Sequence, residues 1–142
     1  MENPIVPSLH YITAILWFSY ALVIFHLGLR IRKQGENIKA VFVNEYNRSL
    51  IFIIIFATIN ILSGSYLVDW SSINIFELSV TLTLGLILGS IAYLINIYQL
   101  IISRRYIKNI DRYLNANITL SSLVALFLFL TLLSMYLAVK GY

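Results

Sequence analysis

An all-α integral membrane protein, a four-helix bundle built from two antiparallel hairpins, is predicted by three observations. Of 142 residues, 60% are apolar and only 11% charged, with a mean hydropathy of +0.86, whereas soluble domains carry about 25% charged residues. A chain of this size has too little interior to shield so much Leu, Ile, Val and Phe from water. Four windows have the roughly 20 apolar residues that a hydrocarbon core about 30 Å thick demands. Finally, nine of the ten Lys and Arg residues fall in two of the three connections between these windows.

The first window runs from Ser8 to Leu29; Pro4 and Pro7 precede it, where a missing N–H costs a helix nothing. MENPIVPS has no basic segment, so this span reads as a retained reverse anchor and not as a cleaved signal. The second runs from Ser49 to Val68, the third from Glu77 to Ile102 and the fourth from Ala116 to Val139. None has an internal Lys, Arg, Asp or Glu or any proline, so four unbroken helices are expected. Arg30, Arg32, Lys33, Lys39 and Arg48 follow span one, and Arg104, Arg105, Lys108 and Arg112 follow span three. Basic residues in short loops resist translocation. The orientation is therefore N-out and C-out in the cell membrane, with the connection Asp69 to Phe76 outside. The helical spacing of Ser103 to Asn115 extends spans three and four beyond the bilayer. Residues 1–142 form a single transmembrane domain. The basic loops suit anionic lipid headgroups, and their placement argues against nucleic acid.

The absence of Cys excludes thiolate metal sites, disulfides and covalently attached haem. His10, His26, Met1 and Met135 remain as soft ligands. His10 and Trp17 are seven residues apart, two turns less about 20°, and share an inward helix face. Spans one and four are antiparallel, which brings His10 and Met135 to similar depth; they form the one His/Met pair available to a haem iron in a single leaflet. An interfacial, solvated histidine is the alternative for His10, and simple packing for Met135. His26 lies about 24 Å further along the helix than His10 and reads as interfacial. Asn60 is deep enough that it must face the bundle, with interhelical bonding as its usual role. Trp17 is also deep, and its N–H is expected to find Asn60, Thr58 or a carbonyl. Gly85, Gly89 and Ser90 in span three, and Ser63, Gly64 and Ser65 in span two, mark close helix contacts or room for a flat cofactor.

The sequence H-Y-I-T-A-I-L-W from His10 to Trp17 resembles the opening of span one in the HemJ-type protoporphyrinogen oxidases and the related CopD-like membrane proteins. Glu45 and Arg48 before span two, with Gly64 nineteen residues after the Glu, are similar to the same families, as are Arg112 and Asn115 before span four. The resemblance implies that His10 is an axial haem ligand or redox-site histidine and that Trp17 lines the same pocket. The chain departs from the HemJ pattern in having no Lys in span three, Ser19 and Tyr20 where a Gly follows the Trp, and Ala116 where a Glu follows the Asn. The cation that would meet a substrate propionate is thus missing.

The leading expectation is a protein that binds haem b non-covalently through His10, with Met135 as second ligand and Trp17, Asn60 and Gly64 around it, and passes electrons to a quinone or a partner. A non-catalytic subunit of a larger membrane complex of respiratory type, or a homo-oligomer, is the alternative. A HemJ-like porphyrinogen oxidase is the third reading. No charged or repeated polar stripe crosses the membrane as a channel requires.

Overall fold

The computed structural model describes residues 5–67, 80–106 and 108–140, with side chains at 67 and 104–106 excluded. Four helices account for nearly all of it: α1 (Ile5–Ile31), α2 (Glu36–Leu67), α3 (Val80–Tyr106) and α4 (Ile110–Val139). Each is long and apolar enough to cross a bilayer, and together they form the four-helix membrane bundle expected. The connection at 68–79, which contains the expected start of span three at Glu77, lies outside the described residues.

Helix limits differ from the apolar windows for physical reasons. α1 begins at Ile5 and takes Pro7 into its first turn, where the N–H would have no intrahelical acceptor anyway. α2 begins at Glu36, not Ser49. Its 32 residues span about 48 Å, well beyond the hydrocarbon thickness. The added turns are held by packing: Val43, Tyr46 and Leu50 are buried with Ile24 and Tyr113 in one core cluster. α3 continues to Tyr106, and α4 starts at Ile110, so both helices extend past their windows as expected. Asn109 caps α4, its side chain accepting from the Arg112 N–H at 3.2 Å. Asp111 in the first turn adds a favourable charge at the helix N-terminus.

α1 packs on α2 and α4, α3 packs on α4 and α2, and α2 touches α4 across the short diagonal. The α1 and α3 backbones stay apart across the long diagonal. Trp17 fills that gap, surrounded by Ala21, Ala57, Ala92 and Ala125. Between membrane helices close packing drives association, and the alanines leave the volume that one indole requires. The outward faces are apolar, as at Ile15, Leu94 and Phe129, consistent with contact with lipid tails.

Candidate functional site

Near the end of the bundle where α1 begins and α4 ends, His10 on α1 meets Asn60, Ser63 and Gly64 on α2. Nδ1 of His10 is 2.9 Å from the Asn60 carbonyl oxygen. A carbonyl only accepts, so Nδ1 carries the proton. Asn60 Nδ2 and Ser63 Oγ also stand 3.3 Å from Nδ1, but each has a nearer acceptor for its proton. The Asn60 carboxamide N–H groups go to the His10 carbonyl at 2.8 Å and to Thr13 Oγ1 at 3.3 Å. The Thr13 hydroxyl donates to the Leu9 carbonyl at 2.6 Å, and the Ser63 hydroxyl to the Asn60 carbonyl at 3.0 Å. The tautomer is therefore fixed by neighbours that are themselves fixed. Nε2 holds the lone pair, and it has no hydrogen-bond partner among the described residues.

The ring stands where it does because position 64 is glycine. A Cβ there would lie 2.7 Å from Cε1 of His10. A parallel arrangement closes the other hairpin, where a Cβ at Gly85 on α3 would lie 2.7 Å from Cε of Met135 on α4. The space beside each of these glycines is filled by a side chain of this chain. Gly89 faces Thr131 at ordinary contact distance. His10, Asn60 and Gly64 are thus assembled, while Met135 is seated on α3.

Trp17 is buried, with 2% of its surface exposed, and inward-facing as expected, but its partner differs. Its Nε1–H donates to Asn96 Oδ1 at 2.7 Å. Asn60 is unavailable because its carboxamide bridges to α1 two turns away. Thr58 bonds the Ile54 carbonyl and the Tyr93 hydroxyl. From Asn96 the polar chain runs on. Asn96 Nδ2 donates to Gln99 Oε1 at 2.8 Å, and Gln99 Nε2 reaches Tyr46 Oη at 2.8 Å, Ser121 Oγ at 3.2 Å and Asn117 Oδ1 at 3.3 Å. All four helices contribute to this buried network. Asn117 Nδ2 donates to the Tyr113 carbonyl, and the Tyr113 hydroxyl donates to Asn47.

No motif singles out Asn96, Gln99, Asn117 and Ser121 in the sequence. Their signal is spacing: i,i+3 and i,i+4 polar pairs inside otherwise apolar windows lie on one helix face. His26 is exposed near the opposite end of α1, away from His10, as its spacing requires. Among the described residues no three His, Asp or Glu side chains cluster as a metal site.

The donor set fits one axial bond to haem iron. A ligating histidine commonly donates its other ring N–H to a backbone carbonyl, which fixes the tautomer and raises ligand basicity; His10 does this. Met135 is not assembled with His10. No protein-family model, curated protein or solved structure matches the chain.

Proposed function

We propose that this chain is a redox protein of the cell membrane that holds haem b non-covalently through Nε2 of His10, with both termini outside. The observation that carries the reading is the oriented imidazole, its Nδ1–H given to the Asn60 carbonyl and its Nε2 left as a lone pair. The haem would supply reversible one-electron transfer at iron, to or from a quinone or a protein partner. The chain's own residues do the rest. Asn60 sets the tautomer, Thr13 holds the Asn60 carboxamide, and Gly64 admits the ring. The resemblance of His10 to Trp17 to haem-handling four-helix families supports the same assignment. Met135 enters as second ligand only by leaving Gly85, so a single protein ligand accords better with the packing.

The test is an absorption spectrum of the purified full chain titrated with haem. A Soret band that shifts on reduction is expected for the wild type. It should vanish in His10→Ala, and Asn60→Ala should weaken haem affinity about 10–100-fold, the usual effect of losing such a supporting bond. No Soret shift in the wild type, or the same shift in His10→Ala, would overturn the assignment.

A non-catalytic subunit of a larger membrane complex is the second reading, favoured by the central network. That network contains no Asp, Glu, Lys or Arg, and no described buried side-chain nitrogen or oxygen lacks a partner, which suits architecture more than chemistry. Stoichiometric partners retained by a colourless protein in mild detergent would support it.

A further inference from the structure

Along α1, at 100° per residue, Ile12, Ile15, Ser19, Leu22, His26 and Arg30 lie on one face, and Lys33 follows in the turn after Ile31. All seven are exposed. At the basic end of this face His26, Leu29, Arg30, Lys33 and Gln34 line an open concavity of about 540 Å³. The distance from Ile15 to His26 is about 16 Å of helix, close to the half-thickness of a hydrocarbon core. The face is thus apolar over about one leaflet and cationic at its end.

We propose that this face binds one anionic phospholipid, its tail along Ile15 and Leu22 and its phosphate between Arg30, Lys33 and the His26 imidazole. Charge selects the occupant. No carboxylate lines the concavity, whereas Lys39 is bound to Asp111 at 2.7 Å and Arg48 stands 3.8 Å from Glu45. The carbonyl end of a helix repels anions, so the side chains and not the backbone must hold the phosphate. The site is independent of the haem assignment, since it lies at the opposite end of α1.

Native mass spectrometry of the full chain, released from mixed phosphatidylglycerol and phosphatidylcholine micelles, tests this. One phosphatidylglycerol should be retained in preference to phosphatidylcholine. Retention should fall about tenfold or more in Arg30→Gln/Lys33→Gln, given the worth of two cations at a lipid surface. It should persist in Arg30→Lys/Lys33→Arg and in Arg48→Gln. Inorganic phosphate at millimolar concentration should not displace the lipid. Equal retention of both lipids, an equal loss in Arg48→Gln, or displacement by phosphate would overturn the proposal. Unchanged circular dichroism of the Gln variant separates lost binding from lost folding, and a variant that does not fold leaves the lipid preference and phosphate competition of the wild type to decide.

Discussion

A methyl group added at Gly64 would stand 2.7 Å from Cε1 of His10, and one added at Gly28 would stand 2.6 Å from Cγ1 of Ile118. Both obstacles are stiff: an imidazole tied to Asn60, and a β-branched side chain whose χ1 has one favoured rotamer in a helix. At Gly85 the obstacle is the terminal methyl of Met135, which three rotatable bonds can move. Replacing a helical Gly by Ala contributes about 1 kcal/mol in propensity, and forcing atoms into a packed site costs about 1–3 kcal/mol. Gly28→Ala and Gly64→Ala are therefore expected to lower thermal stability in detergent, and Gly85→Ala to leave it unchanged or slightly raised. Equal losses at all three positions would show that the Met135 end is as rigid as the His10 end. Sequence identified Gly64 and Gly85 as close contacts from their small neighbours. It passed over Gly28 because a lone glycine near a helix end has no partner in the one-dimensional pattern, and Ile118 is ninety residues away along the chain.

At the scale of the helices, hydropathy located all four elements but misjudged where α2 begins, because a hydropathy window sees the bilayer and not the helix. Glu36 to Arg48 is helical for another reason: Val43 and Tyr46 are buried against α1 and α4. The network from Trp17 to Asn117 was hidden for a related reason. Each polar residue is visible in its span, but which one meets which depends on how the helices are arranged around the axis. Asn60 was the plausible partner of Trp17 by depth, and Asn96 won because α3 lies across the diagonal from α1. Gln99 is fully buried and, besides its contact with Asn96 on its own helix, joins α3 to α2 and α4, so Gln99→Leu leaves Tyr46, Ser121 and Asn117 without its two N–H donors. Interhelical hydrogen bonds in membranes average about 0.6 kcal/mol and reach about 1.7 kcal/mol. Gln99→Leu is expected to destabilise by about 1–3 kcal/mol as several are lost together. A double-mutant cycle of Trp17→Phe with Asn96→Leu should give a coupling within the single-bond range. Zero coupling would mean that the indole N–H finds an equivalent acceptor, and the long diagonal would then be held by shape alone.

For the whole molecule, charge and packing point to one arrangement of the bundle in the bilayer. The turns that join α1 to α2 and α3 to α4 lie at one end with eight of the ten basic residues, Ile5 and Val139 lie at the other, and Arg48 stands twelve residues into α2. Lys39 joins the start of α2 to the start of α4 through Asp111, side chains whose exposures are 14% and 67%; so exposed a carboxylate contributes little stability. The ion pair at the basic end therefore adds little as structural glue. Short-loop cations stay on the cytoplasmic side, so Gly35 and Lys108 should be inside and Val139 outside. The chain has no Cys, which makes single-cysteine labelling free of background. Gly35→Cys has open space around it, Lys108 and Val139 are exposed, and none belongs to the core. In intact cells a membrane-impermeant maleimide should label Val139→Cys at once, and Gly35→Cys or Lys108→Cys only after permeabilisation. The reverse pattern would invert the bundle. His10 and any haem on it would then lie towards the cytoplasm, and the cationic face of α1 would meet the outer leaflet, where a selective anionic lipid has a different supply.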